Sequence, residues 1–401
     1  METKKTTREN EKRGFFEESR KKSFCTPCCL IFFLILFFLM GTGCSKTHTY
    51  KIAVPGEEEY INFYGKALPV IKEKLESSGF GEKSGKDLVK NFDLEVIFFN
   101  DGKTLEKILK KADKQRLIAA EVPLSYQYDI NSLLRQNLSA PVNKEKVPGT
   151  LLPAALANAS RQEQLFRGKT ETTGSTLLYL PFTFDPYFIF TNTEKPGKDT
   201  VIFIPSKTTK ESLIALGAVG FLTGEQGGTE TLSRLQKEHK LQTNASTYNL
   251  YDSMETFLST EKGSHILLSL SQKYRIENNS IKIAGIPDLG GLPVNKNLTL
   301  MMEETALIIP SKAGWQEEEI QKITDCFYSK EINSLILQER KNLSCIKEMP
   351  FIDFHGNLAK TLAFSAEDFI LPLLKPATQK EAEELQAEVQ KALSGVFEVS
   401  R

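Results

Sequence analysis

Residues 92–123 read FDLEVIFFNDGKTLEKILKKADKQRLIAAEVP, and their pattern sets the class of fold. Phe92–Phe99 is a short apolar run typical of a buried strand, Lys103–Ala112 has the 3.6-residue spacing of a helix, and Arg116–Pro123 is a second strand. Strand, helix and strand in this order form a parallel βαβ unit. The sequence therefore predicts an α/β fold.

The same alternation continues on both sides of this unit. A strand at Tyr50–Gly56 and an amphipathic helix at Tyr60–Ser78 precede it. After it we predict strands at Thr200–Ile204, His265–Leu270 and Ala306–Pro310, and helices at Glu211–Thr223, Gly228–Glu238, Tyr251–Leu258, Glu317–Tyr328, Ile332–Leu337 and Thr378–Leu393. The 401 residues exceed what one compact core usually supports, so two lobes are expected.

Composition and motifs exclude several classes of function. The formal net charge is zero, so the chain lacks the basic character expected of a nucleic-acid-binding protein. Three of the four histidines, His239, His265 and His355, are scattered, and no H-E-x-x-H, G-x-S-x-G or phosphate-binding-loop motif is present. We therefore expect no enzyme, no metal site and no cofactor.

The N-terminal segment has the features of an export signal. A polar stretch ends at Arg20–Lys22, every residue from Cys28 to Met40 is apolar, and Gly41–Gly43 are small. The apolar run falls below the roughly 17 residues needed to span a bilayer. Residues 1–43 are thus predicted to be a signal peptide.

Cys44 follows the small residues directly, and FLMGTGC resembles a bacterial lipobox. That resemblance implies a lipid, such as palmitate-bearing diacylglycerol, on Cys44, with residues 44–49 as a tether. An uncleaved membrane anchor and ordinary cleavage remain alternatives. In the folded region Cys326 and Cys345 could form a disulfide in an oxidising compartment or be two buried free thiols.

A series of segments, in order behind the lipobox, resembles the family 1, sugar-type extracellular solute-binding proteins of bacterial ABC importers. The segments are Asp129–Val142, Pro148–Ala159, Leu177–Asn192 (LLYLPFTFDPYFIFTN), Gly263–Ser271 (GSHILLSLS), Glu304–Phe327 and Leu371–Leu393. The resemblance implies a two-lobed, type II periplasmic-binding-protein-like fold whose lobes are joined by crossover hinge strands. Lobe 1 would comprise 50–183 and 303–346, and lobe 2 would comprise 184–302 and 347–401.

The resemblance also implies a function. The protein would be exported, anchored to the bacterial membrane and facing the periplasm or the outside. There it would bind a small solute, a sugar or related compound, between its lobes and deliver it to an ABC transporter permease. Ser-Leu-Ser replaces a glycine-rich strand of the family, and Trp315 is the single tryptophan. These departures keep open a second reading, a surface or envelope interaction lipoprotein that retains the binding fold.

Candidate ligand-binding residues come from one rule and from the resemblance. In α/β sheets, sites lie at the carboxyl ends of strands. The candidates are Asn100 and Asp101 after the second strand, Ser125 and Tyr126 after the third, Phe184, Asp185 and Tyr187 at the crossover, Ser269 and Ser271 after a second-lobe strand, Glu225 and Tyr251 by loose resemblance, and Glu303 near the second crossover. Asp185 could equally be a turn residue before Pro186, and Phe184 a core residue.

Overall fold

A computed structural model describes residues 48–81, 92–167, 176–192, 201–224, 228–242, 247–260, 264–276, 281–287, 289, 292, 294–295, 299–349, 354–374 and 376–394. The predicted signal, Cys44 and Glu225 lie outside the described residues. The described residues form one compact unit. No helix within the described ranges combines the length and apolar character needed to cross a membrane.

Strands and helices alternate through most of the described chain. The strands are β1 (His48–Pro55), β2 (Phe92–Phe99), β3 (Leu117–Pro123), β4 (Val142–Asn143), β5 (Thr176–Leu177), β6 (Leu180–Thr191), β7 (Ile202–Phe203), β8 (His265–Ser269), β9 (Lys282–Ala284), β10 (Thr299–Ile308), β11 (Leu343–Ser344) and β12 (Asp368–Ile370). The helices are α1 (Glu58–Ser77), α2 (Gly102–Lys110), α3 (Ala112–Gln115), α4 (Ile130–Arg135), α5 (Pro153–Arg167), α6 (Thr209–Thr223), α7 (Thr229–Lys237), α8 (Leu250–Ser259), α9 (Leu270–Arg275), α10 (Glu317–Phe327), α11 (Lys330–Leu335), α12 (Phe354–Phe364) and α13 (Gln379–Ser394). A π-helical segment, Ile336–Arg340, continues α11.

One large mixed sheet organises the fold. Its main order is β2-β1-β3-β10-β6-β8-β7, and β9, β11 and β12 pair with the two central strands. β1 runs parallel to β2 and β3, as the βαβ pattern predicts, whereas β10 runs antiparallel to both β3 and β6. The first part of β6 pairs with β11 and its second part with β8. The long strands β6 and β10 therefore cross from one half of the sheet to the other.

Helix α1 covers the β1–β3 half with the face that its sequence predicts. Phe63, Ala67, Ile71 and Leu75 are fully buried, as the 3.6-residue spacing requires. Burying each of the three larger side chains contributes about 1.5–3 kcal/mol. These residues belong to the larger of two clusters of buried apolar side chains.

The second apolar cluster surrounds helix α6 in the other half of the sheet. A capping box between Thr208 and Glu211 begins this helix, and its apolar residues are buried almost all round. At Gly217 a Cβ atom would lie 2.9 Å from the Cβ of Pro372. The helix therefore packs so closely against Pro372 that position 217 has no room for a side chain, and glycine fits there.

The α/β prediction is confirmed, and most elements begin and end within a few residues of their predicted bounds. The strand predicted at Ala306–Pro310 instead runs from Thr299 to Ile308. The prediction began too late because Glu303 and Glu304 interrupt the apolar pattern of this strand. The helix predicted at Ile332–Leu337 is instead α11 followed by the π-helical segment. The predicted lobe boundaries stay a prediction.

Candidate functional site

A cavity of about 120 Å³ lies where β6 and β10 cross between the halves of the sheet. We call it the crossover cavity. Its lining comes from the N-terminus of α1, the end of β3 and the π-helical segment on one side. The N-termini of α6 and α9 line it from the other side, and β6 and β10 form its floor. Both halves of the sheet thus contribute to one site.

Five of the candidate residues line this cavity: Ser125, Asp185, Ser269, Ser271 and Glu303. The strand topology brings them together, because β6 and β10 pair in a register that sets Asp185 opposite Glu303. Ser125 follows β3, the neighbour of β10, and Ser269 ends β8, the neighbour of β6.

Asp185 joins strand β6 to helix α9. Its carboxylate accepts hydrogen bonds from the backbone N–H of Ser271 (3.0 Å) and from the Ser271 hydroxyl (2.5 Å). Burial raises the pKa of Asp185 to about 6, although hydrogen bonds from Ser271 and Ser269 act in the opposite direction. Asp185 and Pro186 lie inside β6 rather than in a turn. Asp185 therefore positions the lining serines.

Two ion pairs connect elements around the cavity. Lys210 at the start of α6 lies 2.7 Å from Glu303, which also accepts a 2.5 Å hydrogen bond from the Tyr187 hydroxyl. Arg275 at the end of α9 donates to Glu59 of α1 at 3.2 Å. The second pair spans the cavity from one half of the sheet to the other.

A buried ionic network closes the cavity at the β1–β3 side. Arg340 donates through Nη1 to Glu121, and both side chains are fully buried. Glu121 also accepts from Tyr64 (2.8 Å) and Thr305 (3.1 Å), and the guanidinium lies 4.3 Å above the Tyr60 ring. Burial lowers the pKa of Arg340, but the Glu121 carboxylate more than offsets this and raises it above its ordinary value. Arg340 is thus a permanently charged group in the cavity wall.

Glu304 is a second buried carboxyl group in the lining. Burial raises the pKa of Glu304 well above its ordinary value. The Asn158 amide lowers it in part, without a well-formed hydrogen bond to the carboxyl. The protonated, neutral form of Glu304 is therefore favoured.

Several candidate residues do not line the crossover cavity. Asn100 and Asp101 follow β2, which is the edge strand of the sheet and is separated from β10 by β1 and β3. Asp101 instead caps α2 by accepting a 2.7 Å hydrogen bond from the N–H of Thr104. Tyr251 is 78% exposed on α8. Glu225 falls outside the described part of the chain.

Three aromatic candidates are buried behind the cavity instead of facing it. Phe184 lies in the larger apolar cluster, and Tyr126 lies in the second one. The Tyr126 backbone N–H bonds to the Leu373 carbonyl at 2.8 Å. Tyr187 is also buried, and it reaches the cavity only through its hydrogen bond to Glu303. None of the three offers a free aromatic face to a ligand within the described lining.

Cys326 and Cys345 are free, buried thiols in the structure, which is the second of the two alternatives. The Cys326 thiol donates to the Ile71 carbonyl at 3.7 Å, and burial raises its pKa to about 12. In the described ranges no group of three or more His, Cys, Asp and Glu side chains is arranged to hold a metal ion.

Neither a protein-family model nor a curated protein matches the sequence. Solved structures do match. A family 1 extracellular solute-binding protein from Bifidobacterium longum subsp. infantis has a TM-score of 0.60 and 12% identity, over 88% of this chain and 95% of that one. A probable secreted solute-binding lipoprotein from Streptomyces coelicolor has a TM-score of 0.57 and 13% identity, over 88% and 99%.

Other matched structures bind or act on different compounds. An extracellular solute-binding protein from Staphylococcus aureus, in complex with maltose, has a TM-score of 0.56 and 12% identity, over 87% of this chain and 95% of that one. Thiaminase I from Clostridium botulinum, in complex with thiamin, has a TM-score of 0.52 and 10% identity, over 86% and 98%. The chain thus has the two-lobed α/β fold of type II periplasmic binding proteins, which it shares with family 1 extracellular solute-binding proteins.

Proposed function

We propose that this protein is an exported solute-binding protein without catalytic activity. It captures a small polar solute, a sugar or related compound, in the crossover cavity and delivers it to the permease of an ABC importer. A lipid on Cys44 holds it at the bacterial membrane, facing the periplasm or the outside. The predicted lobes, 50–183 with 303–346 and 184–302 with 347–401, close on the solute.

One observation carries this proposal. The crossover cavity receives polar and charged side chains from both halves of the sheet, at the strands that join them. Such an arrangement suits hinge closure, because a solute held by both halves is buried when they approach. The Arg275–Glu59 pair spans the same gap, so a charged contact joins the two halves independently of a solute.

Export and anchoring are supported by the sequence and by a relative in fold. The apolar run Cys28–Met40 and the lipobox-like FLMGTGC precede the folded unit. The Streptomyces coelicolor protein with this fold is described as a probable secreted lipoprotein. A protein that captures solute outside the membrane needs such an anchor to stay near its permease.

A ligand screen tests the binding function. Purified protein is heated with sugars, amino acids, organic acids, polyamines and peptides, and the melting temperature is recorded. A bound solute stabilises the native state by RT ln(1 + [L]/Kd), about 2.7 kcal/mol at a hundredfold excess over Kd. Stabilisation by one class, with saturation and a 1:1 stoichiometry in calorimetry, is expected. No stabilisation across the panel would contradict solute binding.

The second candidate function is an interaction lipoprotein of the cell surface or envelope. Two observations favour it: the cavity is small, at about 120 Å³, and Tyr251 projects from α8 with 78% exposure. Because an interaction protein needs no solute, the same screen separates the two functions. The second function would be supported if no solute raises the melting temperature and a photoreactive group at position 251 cross-links the protein to an envelope protein.

A further inference from the structure

Arg340 lines the crossover cavity and has an unused hydrogen-bonding edge buried in the cavity wall. Its Nη1 bonds to Glu121, whereas Nε and Nη2 are buried and have no hydrogen-bond partner among the described residues. Its side chain is 0% exposed and forms part of the cavity wall. Buried N–H groups without partners are destabilising, and they are rare in native proteins.

The surroundings of Arg340 fix the direction from which a partner can approach. The Tyr60 ring covers one face of the guanidinium at 4.3 Å. Glu121 cannot serve the free edge as well, since it already accepts from Arg340, Tyr64 and Thr305. A partner must therefore meet Nε and Nη2 in the plane of the guanidinium. That edge carries two parallel N–H groups and matches the two oxygens of a carboxylate.

The other charges of the lining are already compensated. Among the described lining residues, Lys210 is paired with Glu303, and Arg275 with Glu59. Asp185 accepts its hydrogen bonds from Ser271. Lys210 and Arg275 are more than half exposed, so water can serve their remaining N–H groups, whereas Arg340 is the lining cation whose unpartnered N–H groups are buried.

Glu304 lies in the same wall, and neither of its buried carboxyl oxygens has a hydrogen-bond partner among the described residues; burial raises its pKa, which lessens its repulsion of an anion. A protonated carboxyl can donate its O–H to a ligand oxygen or accept a hydrogen bond from a ligand hydroxyl or amine. The site thus offers a carboxylate-binding edge beside a neutral polar group.

The size of the cavity limits the ligand. Its volume of about 120 Å³ is well below the roughly 300–1,000 Å³ of typical pockets for drug-sized ligands. Tyr60 is the aromatic residue of the described lining, and Arg340 stacks on its ring. A sugar ring would therefore find little room and no free aromatic face among the described residues.

We propose that the solute of the crossover cavity is a small organic acid, whose carboxylate binds the Nε and Nη2 edge of Arg340 and whose second polar group contacts Glu304. The inference rests on the proposed solute-binding function and replaces a sugar with a small organic acid as the solute. It requires no catalysis, but because both nitrogens are fully buried, the cavity wall must open locally for the carboxylate to reach them.

Matched ligand pairs test this inference on the unaltered full-length chain, purified in detergent. The probes are acetate, glycolate, lactate and glycine, each compared with its carboxamide, together with inorganic phosphate, glucose and maltose. Affinity is measured by titration calorimetry and by the shift of the melting temperature. We expect at least one carboxylate to bind, and its amide to bind at least tenfold more weakly, because an amide lacks the charge and the second acceptor oxygen.

The other outcomes contradict the inference in distinguishable ways. Equal binding of acid and amide, or binding of phosphate or sugar without any carboxylate, would overturn the substrate class and leave solute binding intact. If neither these probes nor the broad panel bind, the proposed function itself fails.

A substitution adds a residue-specific readout. Arg340→Lys keeps a positive charge beside Glu121 but removes the two-donor edge, so carboxylate affinity should fall at least tenfold. Arg234→Lys, at an exposed ion pair within α7, is the matched control and should bind as the unaltered chain does. Circular dichroism checks that each variant is folded, and the acid–amide comparison decides the matter if Arg340→Lys does not fold. Unchanged affinity in folded Arg340→Lys protein would contradict the assignment.

Discussion

At the scale of single residues, Asp185 and Arg340 show two uses of a buried charge. Asp185 directs its oxygens to Ser271 and so fastens the start of α9 to β6. Arg340 binds Glu121 through one nitrogen and leaves two others unbonded by the described residues. Filled hydrogen-bonding capacity indicates a structural role, whereas spare capacity in a cavity wall indicates a binding role.

The raised pKa of Asp185 predicts a pH dependence of stability. The unfolded chain releases this proton near pH 3.8 and the folded chain at about 6, so the folded state binds more protons in between. The contribution of Asp185 is therefore most favourable below about pH 4 and is lost as the pH rises through about 6. A shift of about two units corresponds to about 3 kcal/mol.

Urea unfolding at about pH 4, 5, 6 and 7 measures this dependence. We expect Asp185→Asn to reduce the fall in unfolding free energy over this range by the share of Asp185, whereas buried carboxyl groups such as Glu304 keep their own contribution. Asp113→Asn, at an exposed position of α3, is the control and should leave the fall in place. Identical profiles for the unaltered chain and Asp185→Asn would refute the role of burial at Asp185.

At the scale of secondary-structure elements, helix α6 is the clearest case of packing that depends on one residue. It lies against the layer that contains Met301 and Pro372, and Gly217 faces both. In contrast, Gly65 lies on the exposed face of α1, where an added Cβ would meet nothing within 4 Å. Glycine is thus required by close packing at position 217 but not at position 65.

The pair predicts substitutions of opposite sign. Gly217→Ala should destabilise the protein by about 1–3 kcal/mol, because the new methyl group overlaps Pro372. Gly65→Ala should stabilise it by about 0.5–1 kcal/mol, since alanine favours an exposed helix interior. Urea unfolding at neutral pH measures both. Stabilisation by both substitutions would show that α6 shifts to accommodate the methyl group.

Local pattern explains why so many elements could be predicted, and why parts of the site could not. The apolar spacing of α1 and the run Phe92–Phe99 are properties of neighbouring residues, so sequence alone displays them. The order of strands in the sheet depends on distant parts of the chain and cannot be read from neighbouring residues. Asn100 and Asp101 were therefore predicted to lie at the site, although they follow an edge strand. Arg340 ends an apolar segment that resembles any helix end, and only the fold sets it beside Glu121.

Glu303 and Glu304, adjacent in β10, are a sequence signal that predicts a functional site. Glu303 and Glu304 interrupt a strand that is otherwise apolar, and a buried strand seldom contains two carboxyl groups without a purpose. Glu303 was among the sequence candidates, but Glu304 was not. Lys210 and Arg275 gave no comparable signal, because charged residues are ordinary near the ends of helices.

At the scale of the whole molecule, the ion pairs around the cavity are suited to a reversible closure. Arg275 and Glu59 are 61% and 34% exposed, and exposed pairs of this kind contribute only about 0–1 kcal/mol each. The fully buried Glu121–Arg340 pair lies wholly on the β1–β3 side and need not break when the halves separate. The exposed Arg275–Glu59 pair thus spans the gap between the halves, whereas the buried Glu121–Arg340 pair does not.

Membrane attachment gives a prediction at this scale. If Cys44 is acylated, Cys44→Ala should abolish the incorporation of labelled palmitate in bacterial cells and release the protein from the membrane fraction. Cys29→Ala, in the same N-terminal segment, is the control and should leave both unchanged. Labelling that persists in Cys44→Ala would place the lipid elsewhere.

The crossing of β6 and β10 also bears on how the chain folds. Thr183 and Thr305 bond across these strands although they are 122 positions apart in sequence. Contacts between such distant positions form slowly, because a long loop must close before any of them is made. The central pairing of the sheet therefore cannot be completed until β10 has been synthesised. If the chain is exported as proposed, this delay is an advantage, because the chain can reach the membrane before its last central strand completes the sheet.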